Sequence, residues 1–247
     1  MADIHGDPRG AEALIDDGAA AADMPVPDRI LLAAKELIAR KGPVGTTVRD
    51  ICDASEVNVA SIHYYYGSKE ALVKSVLLAV LEPVNIERRV RLEEARRQFG
   101  GVPVPVPVIL DALLRPLVAC ERSADGGRLF VRMENHLRAV PDSDYTIFVS
   151  RQLDGYAQMF IDALAATLPQ FTRTELIWRY EFVRGSAMHL LANCDPLSQK
   201  FKVLVGTGAM VDLQDNELIL RELLVTALLG LSAPAAWTDR DIGQQGG

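Results

Sequence analysis

The stretch Thr46–Leu72, TTVRDICDASEVNVASIHYYYGSKEAL, constrains the chain more than any other. It holds two short helical patterns with only three or four residues between them. Thr47 followed three residues on by Asp50 marks a helix start, where side chain and backbone satisfy each other's hydrogen bonds. Val48, Ile51 and Cys52 then form one inward face, and this helix ends near Ala54. Ser55, Glu56 and Val57 make a tight turn, with Val57 plugging the core. Asn58 caps a second helix from Val59 to about Tyr65, anchored by Ile62. Gly67 breaks the chain again, and Ser68 caps a longer helix. Two helices joined by so short a turn form a helix-turn-helix. The second is too short to be a core element for its own sake. Its exposed Ser61, His63 and Tyr64 suit phosphates and base edges, and its positive N-terminus can face a phosphate.

An earlier helix supports this pair. Pro27 and Asp28 read as its start. Ile30, Leu31, Ala34, Leu37 and Ile38 follow the rhythm of one buried face, while Lys35, Glu36, Arg40 and Lys41 fall on the other. Gly42 and Pro43 stop it. Residues 26–72 thus read as a three-helix domain.

The same stretch resembles the N-terminal domain of the TetR/AcrR family of one-component regulators, whose pattern runs T-T-x-x-x-I-A-x-x-A-G-V-S-x-G-x-L-Y-x-Y-F-x-S-K-E-x-L. Thr46, Thr47, Ile51, Val57, Ile62, Tyr65, Ser68, Lys69, Glu70 and Leu72 fit it in order and without a gap. Three positions depart from it. Glu56 replaces the turn glycine and has to accept a left-handed backbone at about 1 kcal/mol. His63 stands for the usual Tyr and Tyr66 for the usual Phe. The resemblance implies that Thr47, Tyr65 and Lys69 hold phosphates. It implies that Val59, Ala60, Ser61, His63 and Tyr64, on the helix capped by Asn58, lie in or along the major groove. Lys69 is then a positioning cation, and Ser61 and Tyr64 are readers. Two plainer readings stay open: Tyr66 as a core filler, and Tyr65 as a solvated side chain.

Charge tempers the nucleic-acid reading. The chain carries a net −7, which argues against nucleic acid. The first 25 residues contribute −5 of that, whereas residues 26–82 hold seven basic and seven acidic side chains. The module is neutral, so its affinity must come from a few placed groups rather than a basic field.

Beyond Leu72 only helical periodicity guides the reading. The helix begun at Ser68 heads toward Leu81, and Pro83 marks a kink or an end. Asn85–Phe99 continues helically. Its arginines (Arg88, Arg89, Arg91, Arg96 and Arg97) among Glu87, Glu93 and Glu94 read as a solvated connecting face. Gly100 to Pro107 reads as a stiff extended loop. Helices follow over Val108–Ser123, Arg128–Ala139 and Ser143–Leu168.

Thr172–Cys194 has apolar residues on two faces: Leu176, Tyr180, Val183, Ala187 and Leu190 on one, Trp178, Phe182 and His189 on the other. Glu217–Leu231 is apolar nearly all round. A helix with apolar residues on every side must be covered on every side. Segments 172–194 and 217–231 therefore predict a homodimer through a four-helix interface, an arrangement the resemblance also implies. A Gly206-Thr207-Gly208 break separates them. Residues 1–25 read as a disordered acidic tail and 237–247 as a second one.

The fold class that follows is all-α: an N-terminal three-helix helix-turn-helix domain (26–72) and a C-terminal helical ligand-binding and dimerisation domain (73–236). No catalytic constellation, metal-ligand spacing or cofactor motif is present, and Cys120 and Cys194 read as core residues. No basic, apolar leader opens the chain, and its longest nearly apolar run, Leu223–Trp237, is too short to span a bilayer. A cytoplasmic protein with no membrane partner is expected.

The expected function is a ligand-responsive, sequence-specific DNA-binding transcriptional regulator, a repressor released from a palindromic operator in double-stranded DNA by a small hydrophobic effector. The alternative is a non-DNA-binding helical interaction protein on the same dimer scaffold. For the effector site, composition points to Arg132, His136, Tyr156, Phe160, Trp178 and His189, polar anchors and aromatics among apolar helices. His136 and Trp178 could equally be core. The segments EPVNIERRVRLEEARRQ and LLVTALLGLSAPAA loosely resemble the fatty-acid-responsive PsrA-like branch of the family, which implies an acyl-CoA or lipid.

Overall fold

The computed structural model describes residues 24–198, 200–205 and 212–233, all helices and connections except for one isolated bridge, Arg122 with Arg128. The expected acidic tail over residues 1–25, apart from its last two positions, lies outside the described residues. So do the Gly206–Gly208 break and the tail from 237.

Helix α1 (Val26–Gly45) buries Ile30, Ala34, Ile38 and Ala39. Its axis breaks at Gly42, where φ is 79° and ψ 165°, a region open essentially to glycine alone. Thr46 closes it, buried, with its hydroxyl donating to the Gly42 carbonyl at 2.9 Å. Helices α2 (Val48–Ser55) and α3 (Val59–Tyr66) form the helix-turn-helix. Glu56 between them is left-handed at φ 54°, the conformation its place in the turn demands. Ile62 is fully buried and fastens α3 to α1 and α4, a burial that stabilises by about 1.5–3 kcal/mol.

Helix α4 (Lys69–Gln98) runs unbroken through Pro83, so that proline neither ends it nor divides the chain. The missing Pro83 N–H leaves only one ladder bond unmade, and Val80, Leu81 and Val84 are all buried. The boundary expected at residue 72 falls in the first turn of this helix. The solvated-face reading of the arginines fails at one position. Arg89 and Arg91 pair with Glu93 and Glu87 as expected, but Arg88 is 5% exposed.

Helix α5 (Val106–Val118) starts earlier than the loop reading allows, because Pro107 sits in its first turn, where no N–H is needed. It also ends at Val118 rather than Ser123. The buried Arg128 guanidinium donates to the Val118 carbonyl at 2.8 Å, and the following residues turn back at Gly126, φ 85°. Helices α6 (Leu129–Ala139), α7 (Asp144–Thr167) and α8 (Arg173–Asn193) follow, then the short α9 (Lys200–Val205) and α10 (Asn216–Ser232). Ser143 and Thr172 cap α7 and α8 as side-chain acceptors, Thr172 in a full capping box with Glu175.

One continuous core spans the described helices. α4 packs against α1, α3, α5, α6 and α7, and α6 packs against α1. Arg179 of α8 donates to the carbonyls of Gly230, Leu231 and Ala233, each at 2.8 Å, and so caps α10. Both partners leave apolar side chains outside: Trp178 is 75% exposed and Phe182 66% on α8, and Val225 54% and Leu229 69% on α10. The all-round apolar character of 217–231 thus resolves into one buried and one uncovered face. Among the described residues, no helix is long and apolar enough to cross a membrane.

Candidate nucleic-acid interface and regulatory cavity

Hydrogen bonds within α2 and α3 preset much of the exposed surface. Thr47 forms the expected capping box: its hydroxyl accepts from the Asp50 amide at 3.1 Å, and its own amide donates to the Asp50 carboxylate at 2.8 Å. Lys41 from α1 reaches the same carboxylate at 2.8 Å. The Lys41 ammonium, then the Thr47 hydroxyl and amide, hold the Asp50 carboxyl far below the usual carboxylate range. Thr47 is exposed, but its hydroxyl proton is already given to Asp50 at 2.7 Å, so only its remaining acceptor capacity is free.

At the start of α3, Asn58 accepts from the Ser61 amide at 2.9 Å and from the Ser61 hydroxyl at 3.1 Å. Asn58 therefore keeps its amide hydrogens for an outside acceptor, a donor capacity its capping role alone does not announce. His63 lies 2.9 Å from the Gly67 carbonyl through Nδ1. A carbonyl only accepts, so Nδ1 carries the proton and Nε2 faces outward as an acceptor. Tyr64 and Tyr65 are 82% and 46% exposed, their rings packed edge-to-face at 4.9 Å. Tyr66 takes the core reading, half-buried with its hydroxyl donating to the Pro27 carbonyl at 2.8 Å. Val59 and Ala60 are exposed on the opening turn, and Lys69 sits in the first turn of α4 with no ion pair among the described residues. The structure thus gathers Asn58, Val59, Ala60, Ser61, His63, Tyr64, Tyr65 and Lys69 around one short helix, with Thr47 on the neighbouring one. Arg49, an exposed cation on α2 that sequence reasoning passed over, also has no ion pair among the described residues. Two positions from Ile51 on the helix, it faces away from the core, a signal present in the periodicity.

The expected effector residues are dispersed. A cavity of about 210 Å³ lies between α4, α6, α7 and α8, and of the six only Tyr156 lines it. Arg132 is held by Asp195 at 2.7 Å and Asp125 at 2.9 Å, a structural tie between α6 and the end of α8. His136 packs on Gly42 and donates to the Ala39 carbonyl. Phe160 is a core side chain, 1% exposed. Trp178 and His189 lie on the solvent side of α8.

The cavity wall instead holds charged side chains that sequence reasoning assigned elsewhere or left unassigned. Arg184 pairs with Glu134 at 3.0 Å and Glu181 at 2.8 Å. Arg88 donates through Nε to the Leu113 carbonyl at 2.8 Å and through Nη1 to Asn85 at 3.0 Å. Burial lowers its pKa, yet an arginine stays protonated. Burial likewise raises the Tyr180 phenol, with Arg88 opposing. A signal for Arg88 did exist. It occupies the same stripe as Leu81, Val84, Leu92 and Ala95, whose 3–4-residue spacing marks the buried face.

Known proteins share both halves of this arrangement. Residues 30–76 match the model for bacterial regulatory proteins of the tetR family, and residues 111–212 match the tetracyclin repressor-like C-terminal domain. Over 48 residues the chain is 44% identical to an HTH-type transcriptional repressor of Mycobacterium tuberculosis. That stretch is 19% of this chain and 26% of the relative's length. Solved structures extend the likeness to the fold. The ketosteroid transcriptional regulator KstR2 of Mycobacterium tuberculosis aligns with a TM-score of 0.58 at 16% identity, over 83% of this chain and 95% of that one. The fatty acid degradation regulator FadR of Bacillus halodurans aligns with a TM-score of 0.57 at 18% identity, over 86% and 97%. The two models together cover more than half of the sequence, one on the helix-turn-helix and one on three of the four helices that enclose the cavity, and the chain belongs to the TetR family of bacterial transcriptional regulators.

Proposed function

We propose that the chain is a homodimeric, sequence-specific DNA-binding repressor that leaves a palindromic operator when a small effector enters the cavity. The observation that carries the reading is the α3 surface: a helix of eight residues whose Ile62 is wholly buried while Tyr64 stands 82% exposed, with Lys69, just beyond its end, in no ion pair among the described residues. Residues 26–72 bind DNA and residues 73–236 regulate and dimerise. Tyr65 and Lys69 position the phosphates, joined by Thr47 once its hydroxyl turns from Asp50 to the DNA; Asn58, Val59, Ala60, Ser61 and His63 line the groove, and Tyr64 reads base edges. Dimerisation through 172–194 and 217–231 covers Trp178, Phe182, Val225 and Leu229 and sets two α3 helices one turn of DNA, about 34 Å, apart.

Effector response follows from the two helices that touch both sites. α4 carries Asn85 and Arg88 to the cavity and its first turn to α3. α6 carries Phe130 and Glu134 to the cavity and His136 to α1. A ligand that favours a different α4–α6 spacing moves the two DNA-binding domains off register, and DNA is released. The charged wall favours an amphipathic effector over a purely hydrophobic one. A volume of about 210 Å³ is below the roughly 300–1,000 Å³ of pockets that enclose drug-sized ligands, so an acyl-CoA or lipid would place only one end inside. The fatty-acid-responsive branch rests on sequence resemblance alone.

Gel retardation on DNA flanking the gene tests this. A palindromic fragment should shift at low salt, and Trp178→Glu with Phe182→Glu should give a monomer by sedimentation that no longer shifts it. If no fragment shifts, the alternative of a helical interaction protein without DNA takes its place.

A further inference from the structure

We propose that Arg88 and Tyr180 form a carboxylate anchor in the cavity, so that the effector is a small amphipathic carboxylic acid. This deepens the reading above and rests on the cavity being the effector site. Arg88 is 5% exposed and Tyr180 is 5% exposed, and both line the cavity. The guanidinium uses Nε and one Nη1 hydrogen internally. Among the described residues Nη2 has no partner, and no carboxylate lies within ion-pair distance of Arg88. The Tyr180 hydroxyl also has no partner among the described residues. Neither atom is sealed inside protein, so both open onto the cavity with hydrogens to give. Two unspent donors on the wall of one cavity call for a shared acceptor with two oxygens.

The other charges on the wall decide the sign. Arg184 and Arg138 offset Glu134 and Glu181 through pairs of 2.8–3.3 Å. Asp154 is exposed on α7, where an unpaired carboxylate keeps its hydration. A cationic ligand would face Arg88 unpaired, whereas an anionic one neutralises it. A planar carboxylate fits a guanidinium edge with one oxygen left for the phenol. Phe130, Leu153 and Met188 provide the apolar remainder, and the volume suits a body of phenylacetate or hexanoate size.

The test is calorimetric titration of the full chain with phenylacetate and hexanoate against phenylacetamide and hexanamide, which keep shape and lose charge. The acids should bind at least about tenfold tighter than the amides, the usual weight of a hydrogen bond to a charged group. Tyr180→Phe keeps the ring and should weaken the acids about tenfold while leaving the amides and the melting temperature nearly unchanged. Leu153→Trp fills the cavity and should abolish binding of all four. Arg88→Met should erase the acid preference. Because Arg88 also holds the Leu113 carbonyl and that variant can fail to fold, Tyr180→Phe decides. Equal affinity for acid and amide, an unchanged preference in Tyr180→Phe, or no acid binding at millimolar concentration overturns the proposal. Acids that bind as expected without releasing operator DNA leave the anchor standing and overturn the release mechanism. Release by an uncharged ligand, with no acid binding, does the reverse.

Discussion

His136 supplies the hydrogen-bond donor that Ala39 loses to Pro43. In a regular helix the Ala39 carbonyl would accept from the residue four positions on, but that residue is Pro43 and has no N–H. The His136 Nε2 lies 3.1 Å from that carbonyl, so Nε2 carries the proton. The same ring stands where a Cβ on Gly42 would be, 3.0 Å from His136 Nδ1. The break that ends the DNA-binding domain's first helix is therefore read directly by α6.

Gly42→Ala should lower stability by about 2–3 kcal/mol, since φ 79° with ψ 165° is strained for any side chain. Denaturant unfolding measures it. Adding His136→Ala removes the steric contact but not the backbone strain, so the double variant should recover only a minor part. Full recovery would mean the contact, not the dihedral, is what excludes a side chain.

Asp50 should make the helix-turn-helix acid-sensitive. Lys41 and Thr47 depress its pKa in the folded state, so its stabilisation is fully present above the unfolded pKa of about 3.9 and fades as pH falls below that toward the folded value. Asp50→Asn should therefore melt lower than the parent at pH 7, with the gap closing as pH is taken from 4 toward 2. Thr47→Ala, which removes the other half of the box, should lose about 1 kcal/mol at neutral pH.

Lys69→Ala and Tyr64→Ala should differ in kind. Lys69→Ala should weaken operator and random DNA alike and lower the salt slope by about one. Tyr64→Ala should reduce the preference for operator by about 1–3 kcal/mol at the position it reads, with the slope kept. Titrations at several salt concentrations separate the two, and identical behaviour would sink the division of roles.

Arg132→Met should destabilise the chain by about 3 kcal/mol or more, because Asp195 and Asp125 are left without their partner where the arginine side chain is only 10% exposed. Chemical denaturation checks this. A stable variant that has lost only its effector response would return Arg132 to the ligand site.

The helix-turn-helix was legible because its determinants are local. The Thr47–Asp50 box, the Asn58 and Ser68 caps and the left-handed Glu56 each act within four residues of chain, a distance over which residue identity dictates geometry. The inward face of α8 was legible for the same reason, since Leu176, Tyr180, Val183 and Ala187 follow one helical stripe and are buried. Arg88 was misread because neighbouring Glu87, Arg89 and Arg91 do form the surface pairs expected of such a run. Charge composition hid its place on the buried stripe.

Sequence by itself determined the all-α class, the exposed face of α3 and the caps that start its helices, because these depend on contacts between near neighbours. Only the tertiary structure decided that α4 passes straight through Pro83, that Arg132 and His136 tie helices rather than face a ligand, and that Arg88 meets Tyr180 across a cavity. Those outcomes are set by which helices pack together, and Arg88 and Tyr180, 92 positions apart in the chain, share a wall only once α4 and α8 have enclosed it.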